Sequence, residues 1–275
     1  MIIRIASGLA AILLVVVVML FGREVFHIAC VILAFIALNE LFDAFGKKGY
    51  KPLKISGYLA CICLILGSVG TWNRNVYRWL ISIINFIDVS AILYFALILM
   101  FAILVFGKGK FSVTDLSVTI LCSFYVCFLF WRLMMLRNLP WGTYVVWFVI
   151  IGSIVTDTVA FFVGTLLGRR KKVFDVSPNK TIEGTIGGVL GCMAAFLIYG
   201  FTVFRVCAYE IPAWKLALMG FSCGVVSQIG DLAASAIKRF CDIKDFGKII
   251  PGHGGVLDRL DSALVLAPLI LVFFS

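Results

Sequence analysis

The stretch "WGTYVVWFVIIGSIVTDTVAFFVGTLLGRRKK", residues 141–172, decides the fold. From 144 to 167 it holds no Lys or Arg and one acid, Asp157, and it ends in four consecutive bases. About 20 apolar residues cross a bilayer core as an α-helix, because every backbone N–H and C=O then bonds within the segment. The basic run behind it marks the cytoplasmic end, where Lys and Arg are retained. A carboxylate at the centre of such a helix costs about 2.5–3.5 kcal/mol on insertion scales. Asp157 is therefore expected to face a cavity, a partner or a metal.

The same pattern recurs on both sides of this stretch. Hydrophobic residues fill 63% of the 275 positions and charged residues 14%. That leaves too little polar surface for a soluble domain of this size. We expect an all-α, polytopic integral membrane protein of about nine transmembrane helices. They fall at 3–21, 25–45, 55–70, 89–106, 115–136, 144–167, 184–204, 212–236 and 256–275. The segment 75–88, with Trp79 and the nearby Arg74 and Arg78, reads as an interfacial helix or as a tenth span. The first apolar run is long for a signal h-region and more spans follow at once, so it reads as an uncleaved span. The chain reads as one membrane domain, with N-terminal helices over about 1–110 and catalytic helices and loops over about 111–275. Most of the nine cysteines lie in apolar runs, where Cys acts as a small hydrophobe, and no CxxC pair has zinc-ligand spacing.

With the N-terminus in the cytoplasm, most of the 24 Lys and Arg fall on the cytoplasmic side. The formal charge of +10 is then a one-sided field, facing anionic lipid, nucleotide or both. For the loop "GKKGYKPLK", 46–54, topology alone accounts for the bases. Glu40 and Asp43, at the end of the second span, reach the interface.

Acids number only 14, and several lie at membrane depth: Asp157, Asp231 late in the eighth span, and Asp258 and Asp261 opening the ninth. Ser227, Asp231, Ser235 and Lys238 share one helical face, which ends at Lys238-Arg239. An acid leading into bases suits a metal ion with a phosphate behind it; a buried interhelical hydrogen-bond network is the other reading. The loop before the seventh span places Ser177, Lys180, Thr181 and Glu183 at a helix start, where spare N–H groups and a lysine form a ready phosphate site. The glycines at 184, 187, 188 and 191 form overlapping GxxxG patterns, which read as helix packing. In "PGHGGVLDRLD", 251–261, the glycines either let backbone N–H groups approach an anion or form a plain turn. No Walker A, HExxH or GxSxG pattern occurs, and His27 stands alone, so serine hydrolase and zinc protease chemistry have no residues to use.

The segment "SAIKRFCDIKDFGKIIPGHGGVLDRLD", 235–261, resembles the signature of the phosphatidate cytidylyltransferase family, the CDP-diacylglycerol synthases. Its fixed elements are Ser235, Lys238-Arg239, Lys244-Asp245, Gly247, Pro251, His253-Gly254-Gly255, Asp258-Arg259 and Asp261. The stretches "SPNKTIEG" and "TDTVAFFVG" resemble the family's other motifs. The resemblance implies that CTP and phosphatidate give CDP-diacylglycerol and pyrophosphate with Mg2+. It implies a homodimer in the plasma membrane with the site facing the cytoplasm, and no nucleic-acid partner. For that reaction the expected Mg2+ ligands are Asp231 and Asp258, with Asp157 or Asp261 beside a second cation. Lys238, Arg239, Lys244 and Arg259 are expected phosphate clamps. Lys180, Ser177, Thr181 and Glu183 are expected at the substrate from the other loop, with Ser235, Asp245, Gly254 and Gly255. His253 has three readings: proton carrier, phosphate ligand or turn-fixing hydrogen bonder. Two alternatives remain: an isoprenoid ether-lipid acceptor, since the signature reads phosphates and not tails, and an ion-coupled transporter, which lacks the paired half-repeats expected of one.

Overall fold

The computed structural model describes residues 8, 13–69, 89–169, 176–178, 180–207, 209–250, 252 and 254–274, with 63–69 and 89–93 as backbone only. The described residues hold no β-strand, only one isolated bridge between Ile250 and Gly254. After a helical stretch at 13–20, eight helices follow in order: α1 (Arg23–Lys47), α2 (Lys54–Val69), α3 (Val89–Phe106), α4 (Val113–Asn138), α5 (Gly142–Leu166), α6 (Ile182–Cys207), α7 (Ala213–Phe240) and α8 (Leu257–Phe274). Five of them, α1, α4, α5, α6 and α7, are long and apolar enough to cross a membrane. That is fewer than the nine expected, for local reasons. Helix α2 is described over 16 residues and α3, apolar throughout, over 18, of which Tyr94–Phe106 carry described side chains. Helix α8 has 18 residues but spends three early positions on Asp258, Arg259 and Asp261. Residues 3–7 and 9–12 of the first expected span and all of 75–88 lie outside the described residues.

The chain divides into two compact units: Met1–Met135 with Cys241–Leu257, and Leu136–Phe240 with Asp258–Ser275. In the first unit, α4 begins on a capping box. Ser112 Oγ accepts the Asp115 N–H (3.1 Å) while Asp115 Oδ2 accepts the Ser112 N–H (2.8 Å). The other Asp115 oxygen accepts the Lys51 N–H (2.6 Å), and Thr119 Oγ1 accepts the Leu53 N–H (2.9 Å). Residues 51–53 are thus tied to α4 by backbone donors that would otherwise be orphaned. Leu53, Met100 and Leu116 close the core beneath them.

The second unit packs on small residues. A Cβ on Gly188 of α6 would lie 2.9 Å from Thr156 O of α5. A Cβ on Gly220 of α7 would lie 2.6 Å from Met193 Cα of α6, and one on Gly230 would meet Val265 of α8. The GxxxG glycines therefore serve close helix approach, as the sequence indicates. Phe148 of α5 packs against Phe196 (4.9 Å, tilted) and edge-to-face against Tyr199 (4.8 Å) of α6. Nine residues separate Phe148 from Asp157, about 13 Å along a helix. One end of α5 is therefore aromatic and dry, and the charge lies further along. The opposite faces carry exposed Phe161, Phe162, Leu190, Phe221 and Ile229, suited to a lipid surround.

Gly220→Val should cost about 1–3 kcal/mol, because the added carbons meet backbone rather than a flexible side-chain end. Gly46→Ala, where a Cβ meets nothing within 4 Å, should be neutral or mildly stabilising. Thermal unfolding of the two variants in detergent checks this contrast.

Candidate active site

The second unit gathers its charges late in α5 and α7 and early in α6 and α8. Lys180 is positioned by a turn: its N–H donates to Ser177 O (3.1 Å). The next residue, Thr181, caps α6, its Oγ1 accepting the Gly184 N–H (3.0 Å). Lys180 Nζ then meets Asp231 Oδ2 of α7 at 2.5 Å, with both side chains partly exposed. Gln228, one residue past Ser227, donates to Thr185 O (3.0 Å) and fixes α7 against the start of α6.

Two turns along α7, Lys238 Nζ contacts Asp258 Oδ1 of α8 at 2.9 Å. This pair is buried, with 14% and 3% of the two side chains exposed. Breaking such a pair strands a charge, and that costs far more than the pair contributes. Asp261 lies one turn on, buried, with its Oδ1 accepting the Ser262 N–H (2.7 Å). Ser262 Oγ bonds Ser153 Oγ of α5 (2.7 Å) and donates to Asp157 Oδ2 (3.5 Å).

Asp157, Asp231 and Asp261 come from three helices and lie within Coulombic reach of one another. Lys180 and Arg259 act on Asp157 across the same space, and Lys238 acts on Asp261. Lys180 is spent on Asp231 and Lys238 on Asp258, so the cluster keeps an excess of negative charge. The buried Ser227 Oγ, one turn before Asp231, has no partner among the described residues. The donors are all oxygen, the preference of a hard divalent cation. Among the described residues no three His, Cys, Asp or Glu side chains converge closely enough to cage an ion. The arrangement can hold cations on its acids and anions on its lysines.

The structure thus brings Asp157, Lys180, Asp231, Lys238, Asp258 and Asp261 into one unit, with Asp258 turned to Lys238. Ser177 and Thr181 shape the Lys180 turn, and Glu183 occupies the first turn of α6. Ser235 lies half-buried one turn past Asp231, whereas Arg239 and Arg259 are exposed. Ser153 and Ser262 were not singled out by sequence. An unremarkable serine in an apolar helix carries no signal until the opposing acid is known.

In the first unit, Lys244 and Asp245 are exposed on the segment 241–257. This segment is pinned at both ends. Asp242, itself at φ 54, pairs with Lys48, and that hydrogen bond holds the Lys48 ammonium above the ordinary lysine range. At the far end, the Glu40 carboxylate of α1 accepts the N–H of Val256 (3.0 Å) and of Leu257 (2.9 Å). Glu40 is buried, and a Cβ on Gly247 or Gly255 would collide with its carboxylate. Gly252 and Gly254 take left-handed φ values of 77° and 85° around the Ile250–Gly254 turn. Gly255 thus makes room for Glu40, a role that spacing alone did not reveal. His253 and Pro251 lie outside the described residues. The interface role expected for Glu40 gives way to a buried one. The available signal was an acid one turn inside an apolar helix with no base at i±4.

Five helices long and apolar enough to cross a membrane, carrying a cluster of acids and lysines, mark a helical membrane protein. The chain belongs to the cytidylyltransferase family, whose sequence model matches residues 2–275. It is 32% identical over 277 residues to the phosphatidate cytidylyltransferase of Bacillus subtilis strain 168, covering 99% of this chain and 98% of that one. It is 30% identical over 277 residues to the phosphatidate cytidylyltransferase of Staphylococcus haemolyticus, covering 98% and 96%. The protein of that name in Staphylococcus aureus strain COL is 29% identical over 277 residues, with the same coverage.

Glu40→Ala should leave the Val256 and Leu257 amides without their acceptor. Their hydrogen exchange should accelerate by about 10- to 100-fold, the worth of a charged hydrogen bond, with Glu40→Gln intermediate. Exchange measured by mass spectrometry on peptides spanning 250–260 checks it.

Proposed function

We propose that this chain transfers CMP from CTP to phosphatidate, giving CDP-diacylglycerol and pyrophosphate. It does so as a homodimer of about nine-span subunits in the plasma membrane, with the site facing the cytoplasm. The observation that carries the reading is the cluster of Asp157, Asp231, Asp258 and Asp261 interleaved with Lys180 and Lys238. It occurs in a chain similar over nearly its whole length to proteins named for this reaction.

A phosphate oxygen of phosphatidate attacks the α-phosphorus of CTP; the bond to the bridging oxygen breaks and pyrophosphate leaves. The acceptor phosphate is already ionised at neutral pH, so no general base is required. Positioning and charge neutralisation carry the rate. Asp231 and Asp258 would hold Mg2+, with Asp157 or Asp261 beside a second cation. Mg2+ supplies neutralisation of the triphosphate and of the leaving pyrophosphate. Lys180 and Lys238 exchange their carboxylate partners for substrate phosphate oxygens, which keeps each ammonium compensated throughout. Ser262, held by Ser153, keeps Asp157 aimed into the cluster. Arg259 and Arg239, both exposed, would meet phosphate oxygens of the incoming nucleotide.

Purified protein given CTP, phosphatidate and Mg2+ should release pyrophosphate. Asp231→Asn and Asp258→Asn should each lower kcat by about 100-fold or more, with the helical circular dichroism retained. Near-normal turnover in either variant removes that residue from the metal role. Faster turnover of an ether-linked isoprenoid acceptor than of phosphatidate would change the lipid assigned.

A further inference from the structure

Helix α8 opens without a cap of its own. The first N–H groups of a helix have no partner within it, and a Ser, Thr, Asp or Asn just before the helix is the usual acceptor. The residue before Leu257 is Val256, preceded by Gly254 and Gly255, and none of the three has a side chain that accepts a hydrogen bond. Glu40 takes that place from 216 positions away. Its two oxygens divide the amides: Oε1 accepts from Val256 (3.0 Å) and Oε2 from Leu257 (2.9 Å). A carboxylate at this point also meets the positive end of the helix. Glu40 is only 6% exposed, so little water reaches the two bonds to replace them.

Asp258 is the next residue along, in the first turn of α8. Its Oδ1 meets Lys238 Nζ at 2.9 Å, and 3% of its side chain is exposed. A buried carboxylate has few directions open to it, so the backbone beneath it sets where its oxygens point. Two hydrogen bonds and one peptide unit separate the Glu40 carboxylate from the Asp258 backbone. Loss of those bonds frays the turn that carries Asp258 before it disturbs the rest of the helix.

We infer that Glu40 is a positioning residue for the reaction: its carboxylate holds the first turn of α8 so that Asp258 is presented to the cation. This rests on the reading above that Asp258 holds Mg2+. Glu40 is not itself a ligand, since backbone amides occupy both its oxygens.

The test uses the full chain in detergent, with Mn2+ standing in for Mg2+ and its binding read by electron paramagnetic resonance in the absence of substrates. Glu40→Gln keeps the size of the side chain but turns one acceptor into an NH2 donor. It should weaken Mn2+ binding by about tenfold, the worth of one charged hydrogen bond. Asp258→Asn should weaken it at least as much. The double variant should bind no more weakly than Asp258→Asn alone, because Glu40 acts through that carboxylate. In turnover, Glu40→Gln should need about tenfold more Mg2+ yet approach the unsubstituted kcat at saturation. A loss of folded protein would lower the plateau and leave the Mg2+ midpoint in place. Asp43→Asn, exposed on the same helix, should change none of these readouts. Unchanged Mn2+ affinity in Glu40→Gln, with Asp258→Asn weakened, overturns the inference and leaves the metal role of Asp258 standing. Additive losses in the double variant overturn it too, since Glu40 would then act on the fold at large. Unchanged affinity in Asp258→Asn removes the metal role of Asp258 and the inference with it.

Discussion

A carboxylate removed from water must be met by a cation or by hydrogen-bond donors, and this constraint organises the molecule. Asp231 has Lys180, Asp258 has Lys238, Asp261 has a backbone amide and Asp157 has a serine. Glu40 has two backbone amides. Each partner comes from a different helix or from another residue of a helix opening. The acids therefore dictate which segments must meet, whereas the apolar residues only require that some segment be near. A core of Phe, Leu and Val tolerates exchange among its members; a buried acid does not tolerate loss of its donor.

Helix existence was legible because membrane solvent writes it plainly. The bounds of α3 coincide with the expected 89–106, and α5, at Gly142–Leu166, is displaced from 144–167 by one or two residues. Such runs need no tertiary information. The number of crossings was less legible. Length and charge compete at the ends: α8 begins with Asp258, Arg259 and Asp261, so its apolar part is shorter than the helix.

The site was legible by residue and not by pairing. Asp157, Asp231, Asp258 and Asp261 stand out because an acid in an apolar run is costly. Periodicity put Asp231 and Lys238 on one face of α7, yet the cation Asp231 meets is Lys180, some fifty positions away. Periodicity acts within a helix, whereas pairing depends on how helices pack. That packing is set by Gly188, Gly220 and Gly230, whose role is to be small. Glu40 shows the same limit. Its donors are main-chain amides, which carry no sequence identity at all.

The Glu40 contact spans 216 positions of the chain. A ribosome adds roughly 5–20 residues each second. After Glu40 emerges, therefore, roughly ten to forty seconds pass before Val256 exists to meet it. Through that interval α1 enters the bilayer with its acid facing water, lipid headgroups or the insertion machinery. A loop made late relieves this early buried charge, so α1 settles only once the segment 241–257 has been made.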